Sequence, residues 1–144
     1  MARVKIIVPD NKIGSFVIPV RISDINYGNH VGNDSIVSIL HEARVKWLNQ
    51  YNYTELNIDG IGLIMSDLEI EFKKESFYGD IIEVQLSIGE ISSVGFELYY
   101  QLNTKRYEEP VILAIAKTGM IFYNYLTKKV THIPVVFKNL LAQK

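Results

Sequence analysis

The stretch DINYGNHVGND, Asp24 to Asp34, gathers several side chains capable of chemistry into one polar joint. Asn26 carries a carboxamide that can donate to a carbonyl or position a water. His30 carries an imidazole, the side chain best suited to exchanging a proton near neutral pH. Asp24 adds a carboxylate two residues before Asn26, and Glu42 adds another in the run that follows. Such a joint could simply turn the chain, or it could hold a substrate carbonyl at the mouth of a helix. Each residue also has a structural reading. Asn26 could satisfy backbone groups at a tight corner, and His30 could hydrogen-bond loop backbone and hold the joint shut. Glu42 could make an exposed pair with Lys46 one helical turn on, worth a few tenths of a kcal/mol.

The elements around the joint follow from hydrophobic period. A strand is expected at Phe16 to Ser23 (FVIPVRIS), with a further candidate at Val4 to Val8. NDSIVSILHEARVKWLNQY reads as a helix, with Asn33 or Asp34 able to cap its first free N–H groups. Ile36, Leu40, Ala43 and Trp47 repeat at helical spacing, widened by Val37 and Leu48. The opposite face carries Ser35, Ser38, Glu42, Lys46 and Asn49. The rest of the chain alternates instead: Leu68, Ile70 and Phe72; Ile82, Val84, Leu86 and Ile88; Phe96, Leu98, Tyr100 and Leu102. These are half-buried strands with one polar face. Val111 to Tyr125 is apolar on both faces and should be a central strand, with Ala114, Ala116, Thr118 and Gly119 leaving room beside it. Gly79-Asp80, Gly89 and Asn103 to Glu109 supply turns. Pro134 starts a short terminal helix, VVFKNLLAQ.

One helix covers so long a sheet only if the sheet curls around it. The expected class is therefore α+β: a curled antiparallel sheet wrapped on one long central helix, with a short C-terminal helix. Its unpaired edge strands would favour edge-to-edge dimerisation.

Composition narrows the function. The 144 residues suit a single domain with a sizeable core. A formal net charge of −1 gives no electrostatic reason to expect nucleic acid or an anionic membrane. The absence of cysteine excludes disulfides, thiolate metal sites and cysteine nucleophiles, and fits a reducing, cytoplasmic setting. The start lacks a signal-peptide layout, and the longest apolar stretch, Val111 to Ala116, is far too short to span a bilayer. The three histidines are scattered, so no metal site is argued. Gly60-x-Gly62 is too short for a phosphate loop, and Ser92-Ser93 lacks a nucleophile elbow.

Several spaced features resemble the hotdog-fold thioesterases, specifically the hydroxybenzoyl-CoA thioesterase and YbgC/FadM-like group. VRISDINYGNHVGN resembles the joint in which Asp-x-Asp-x-x-Gly-His-Val-Asn-Asn leads from a strand into the helix. HEARVKWL resembles the Glu-Ala-Arg segment of that helix. LEIEFKKESFYGDIIEVQLSI resembles the strand, Gly-Asp turn and next strand, and HIPVVFKNLL the closing segment. The resemblance implies a hotdog fold across most of the chain and hydrolysis of an acyl thioester of coenzyme A or of an acyl-carrier protein. No cofactor is implied beyond the coenzyme A of the substrate. A homodimer or homotetramer is implied, with the acyl chain at the subunit interface.

In the resembling enzymes the second Asp of the joint is nucleophile or general base, and a backbone N–H at the helix start holds the carbonyl. Carried over, that N–H belongs to Asn33, while Asp24 matches a residue that fixes the loop. The second Asp is replaced here by Asn26, and a carboxamide is neither a base nor a nucleophile of that kind. Gly28 comes one place early before His30, and Gly32 replaces an Asn. The proton acceptor is then expected to be Glu42, Asp24 or His30, with Asn26 orienting the carbonyl or the water. Lys73 and Lys74, or Lys105 and Arg106, would meet the coenzyme's phosphates, and Ser66 and Asp67 could approach a partner subunit's site. Two other readings remain. Asn26 could mark a non-catalytic acyl-thioester binding protein, or His30 and Glu42 could form the pair of a hotdog hydratase or dehydratase.

Overall fold

The computed structural model describes residues 3–142. Its elements run β1 (Lys12–Pro19), α1 (Asn33–Asn49), β2 (Gly62–Phe72), β3 (Ile81–Ile91), β4 (Gly95–Arg106), β5 (Glu109–Asn124), β6 (Lys129–Val130) and α2 (Val135–Ala142). The strands form one antiparallel sheet of six in the order β1-β3-β4-β5-β2, with β6 paired to the end of β5. The sheet curls around α1, the arrangement expected from the sequence.

Why the sheet closes on α1 is visible in the burial pattern. Ile36, Ile39, Leu40, Ala43, Trp47 and Leu48 of α1 are all buried, against the inward residues Ile82, Val84, Leu86 and Ile88 of β3 and Leu98, Tyr100 and Leu102 of β4. Each fully buried Leu or Ile contributes about 1.5–3 kcal/mol, so this face outweighs any local helix preference. Trp47 meets Phe96 edge-on at 6.0 Å and Phe137 of α2 at 5.9 Å, which docks the terminal helix over the open end of the core.

β5 is central, with β4 on one side and β2 on the other. The hairpin before it turns through Tyr107 (φ 52°) and Glu108 (φ 66°), both left-handed, as a two-residue turn between twisted strands requires.

Several boundaries differ from the sequence expectation. β1 starts at Lys12 and ends at Pro19, because the chain from Ile22 to Asp24 tightens into a 3-10 turn. Val4 to Val8 forms no strand; the segment instead donates Ile6 N–H to Glu71 Oε1 at 3.1 Å. The cap of α1 is Gly32, with no side-chain cap hydrogen bond, rather than Asn33 or Asp34. Ser35 is buried, not on the polar face, since it lies one turn before the buried Ile39 on the same side of α1. Gly89 lies within β3, and the β3–β4 turn falls after it at residues 92–94.

Candidate active site

The joint is a small hairpin of its own. Ile25 and Val31 form an isolated antiparallel bridge, and Asn26 N–H donates to the His30 carbonyl at 2.9 Å. Asn29 closes the turn onto the Asn26 carbonyl at 3.1 Å from a left-handed φ of 65°, a conformation Asn tolerates better than most residues. This pairing sets Asn26 and His30 opposite each other. Asn26 Oδ1 accepts from Gly28 N–H at 2.9 Å, so the carbonyl half of the amide is committed to the turn while its NH₂ half lies toward Gly32 at the helix start. Asn26 is exposed and borders, without lining, the cavity that opens there.

Asp24 anchors the joint. Its side chain is only 4% exposed and accepts from Arg21 N–H at 2.8 Å and Arg21 Nη2 at 3.2 Å. Its carbonyl accepts from Gly32 N–H at 3.0 Å, tying the joint to the helix start. Asp24 is thus spent on structure.

At Gly32 the bare backbone matters. A Cβ there would lie 2.6 Å from Asp34 Oδ1 and 3.8 Å from Asn26 Nδ2, so an amide and a carboxylate both close in on this point. The first helical N–H to find a partner is that of Ile36, on the Gly32 carbonyl at 3.1 Å. With no side-chain cap, the preceding N–H groups, beginning with that of Asn33, remain available at the positive end of α1.

A cavity of about 200 Å³ opens against this helix start, lined by His30, Val31, Asn33 and Ile36 on one side and by Phe72, Ser76, Leu113 and Ala114 on the other. Lys73, Lys74 and Glu75 complete its lining. His30 Nδ1 stands 3.2 Å from the Val31 carbonyl. A carbonyl only accepts, so Nδ1 carries the proton in that bond and Nε2 of the neutral ring keeps its lone pair. Nε2 lies 4.0 Å from Glu75 Oε1. The cavity therefore brings together a proton acceptor, free helix N–H groups and an apolar recess.

The cavity wall from Lys73 to Asp80 has no regular period, and sequence reasoning missed Glu75 and Ser76. Only the Gly79-Asp80 turn signalled that a corner lay here. Asp80 pins the loop: its Oδ2 accepts from Ser76 Oγ at 3.0 Å, Phe77 N–H at 2.9 Å and Arg106 Nη2 at 2.7 Å. The buried Ser76 in turn receives Val31 N–H on its carbonyl at 2.7 Å, coupling this wall to the joint. Burial alone would raise the Asp80 carboxyl; Arg106, Phe77 N–H and Ser76 outweigh it and hold the pKa below the usual carboxylate value. A depressed carboxyl stabilises the fold above its unfolded pKa and loses that stabilisation as pH falls through the folded one. Asp80→Asn should therefore cost about 2–3 kcal/mol near neutral pH and flatten the acid side of the stability curve, measured by urea unfolding across pH.

The other candidates fall elsewhere. Glu42 is exposed and lines no part of this cavity. It lies about 13 Å along the α1 axis from Asn33, near enough to Arg21 to favour its charged form. Arg106 is committed to Asp80 and to the Glu75 carbonyl, at 2.7 Å each. Ser66 and Asp67 close a bulge in β2: Ser66 Oγ donates to the Gly119 carbonyl at 3.1 Å, and Asp67 Oδ1 accepts from Gly119 N–H at 3.1 Å and from Lys117 at 2.9 Å.

The Glu-Ala-Arg segment has a role that periodicity did not reveal. Arg44 is buried and donates to Tyr100 Oη at 3.0 Å and Glu55 at 3.3 Å, and Tyr100 Oη meets Thr118 Oγ1 at 2.7 Å. Burial pushes the Tyr100 phenol up, against the opposing pull of Arg44, so it stays protonated. This chain bolts α1 to β4 and β5.

Residues 20–141 match the thioesterase-like superfamily. In solved structures the chain is similar to a 1,4-dihydroxy-2-naphthoyl-CoA thioesterase from Synechocystis, with 20% identity over 90% of this chain and 95% of that one and a TM-score of 0.79. The PA2801 protein from Pseudomonas aeruginosa is similar at 20% identity over 90% and 98%, with a TM-score of 0.80. A DHNA-CoA thioesterase from Staphylococcus aureus is similar at 16% identity over 87% and 83%, with a TM-score of 0.75. At these identities the likeness establishes the shared fold. Among curated proteins none matches the sequence at a significant level.

Proposed function

Because the chain belongs to the thioesterase-like superfamily, we propose that it hydrolyses an acyl-CoA thioester in the cavity at the start of α1. The observation that carries this reading is the convergence, in one recess, of the free N–H groups at the start of α1, His30 Nε2 and an apolar wall. The Asn33 N–H polarises the thioester carbonyl, since a helix start stabilises the oxygen as it gains charge in the tetrahedral intermediate. The NH₂ of Asn26 orients the carbonyl or the attacking water. His30 removes a proton from that water through Nε2. The oxygen then attacks the carbonyl carbon, the C–S bond breaks, and the proton passes to the departing sulfur. Asp24 and Glu42 are the weaker choices for this base, the first because it is bonded to Arg21, the second because it lies away from the recess.

Lys74 at the rim gives the phosphates of the coenzyme a partner, with Lys73 beside it paired to Glu71 at 3.1 Å. Lys105 and Arg106 are the lesser candidates because Arg106 is held by both Asp80 and the Glu75 carbonyl. The chain would act as a homo-oligomer: β2 is an eleven-residue edge strand with no strand paired to its outer side among the described residues, and pairing it with the same strand of a second copy would cover that edge.

A second reading is favoured by Asn26, where a carboxylate would be expected: a protein that binds acyl thioesters without hydrolysing them. A thiol-release screen over acyl-CoA and acyl-carrier-protein thioesters, with Glu42→Ala alongside, separates the two. Hydrolysis retained in Glu42→Ala supports His30 as base. Saturable binding with no thiol released from any thioester would replace hydrolysis by binding.

A further inference from the structure

The groove between α1 and β2 contains a second recess beyond the candidate active site. It measures about 170 Å³ and is lined by Val37, Leu40, Met65, Leu68 and Thr118, with the polar Ser38, His41 and Arg44 completing its wall. The β2–β5 register shows what separates it from the first. Phe72 pairs with Ala114, Ile70 with Ala116, and Leu68 with Thr118. Directly opposed residues in antiparallel strands share a face. Ala114 lines the first cavity with Ile36 of α1, and Thr118 reaches Arg44 of α1 through Tyr100, so this face of β5 and the three β2 residues opposite it are turned toward α1. Phe72 and Ala114 line the first cavity; Leu68 and Thr118 line the second. The Ile70–Ala116 pair between them lines neither; Ile70 also borders a shallow outer hollow with Val4 and Lys5, and Ala116 has almost no side chain with which to form a partition.

We infer that Ile70 is the plug that ends the acyl site, so that the protein selects short or single-ring acyl groups and its chain-length limit is set by this one side chain. The inference rests on the thioesterase reading for the identity of the ligand. An apolar cavity of about 150 Å³ holds a benzene ring. The first recess, at about 200 Å³, thus takes one ring or a short aliphatic chain beyond the carbonyl carbon. Removing the branched end of Ile70 joins the two recesses along the four-residue span from Phe72 to Leu68, about 13 Å of strand. That is the length of a medium acyl chain, and it passes over small residues from β5.

The test compares wild type, Ile70→Ala and Ile70→Phe over saturated acyl-CoA thioesters from acetyl to lauroyl, with benzoyl-CoA. In wild type kcat/KM should fall steeply after about hexanoyl, the chain whose tail is no longer than a ring. Ile70→Ala should raise the ratio of decanoyl to butanoyl kcat/KM at least about tenfold, the discrimination one or more methylenes supply in a hydrophobic pocket. Ile70→Phe should move the limit toward shorter chains, which keeps the test informative if the smaller residue loosens the fold. The same chain-length profile in all three folded proteins overturns the plug. If no thioester is cleaved by any of them, the hydrolase reading fails separately. Binding of non-cleavable thioether analogues then decides: longer analogues binding more tightly to Ile70→Ala than to wild type support the plug, and identical length dependence overturns it.

Discussion

His30→Ala lowers kcat on the acyl-CoA substrate by about a hundredfold to ten-thousandfold while KM changes little. That is the size of effect expected when a positioned general base is removed. The geometry gives the reason: the Val31 carbonyl holds the proton on Nδ1 and leaves the lone pair on Nε2, which stands 4.0 Å from Glu75 Oε1 of the same cavity wall. His30 also helps close the joint, so the variant is to be read alongside thermal unfolding. If the imidazole only shuts the hairpin, stability falls and the remaining folded protein turns over normally. If it is the base, Tm moves little and added imidazole restores part of the rate. Turnover within a few-fold of wild type, with the joint intact, would sink the assignment.

The second large effect concerns Asn26, for which two substitutions are expected to diverge. Asn26→Ala deletes both the NH₂ proposed to orient the carbonyl or water and the acceptor that Gly28 N–H uses. It should lower kcat about a hundredfold to a thousandfold, the range seen when one donor of a charge-stabilising site is lost. Asn26→Asp keeps an oxygen for Gly28 N–H and adds a carboxylate beside the helix start, so turnover should be maintained or raised. Steady-state kinetics of both proteins on the best substrate of the screen settle the matter. If Asn26→Asp is as inactive as Asn26→Ala while the fold is intact, the amide's donation is essential and no acid can substitute for it.

Much of this was legible in the residues alone. The three-to-four spacing of Ile36, Leu40, Ala43 and Trp47 forced a helix with a buried stripe, and the alternation in β2, β3 and β4 forced strands with one inward face. Both signals are local, because side-chain direction repeats every 3.6 residues in a helix and every two in a strand. The joint was legible locally too: Gly and Asn reach backbone conformations closed to other residues and Asn and Asp bond nearby N–H groups, so a cluster of them between two periodic segments marks a corner. The polar placement of Ser35 went wrong because it followed residue type over position: Ser35 lies one turn before Ile39, on the buried side of α1.

The site itself needed the folded chain. Asp80 and Arg106 hold the cavity wall across 26 residues of sequence, and Arg44 reaches Tyr100 across 56. Glu42, Asp24 and His30 were all open as proton acceptor from the residues alone, and only the fold put Glu42 away from the recess, tied Asp24 to Arg21 and left His30 on the cavity wall. Sequence by itself determined the elements, the buried stripe and the joint, since each is settled by the few residues nearest to it. Only tertiary structure decided which of the joint's groups face the recess and that Ile70 stands between two hollows, because cavity walls come from β2, β5 and α1 at once and no local pattern records where they meet.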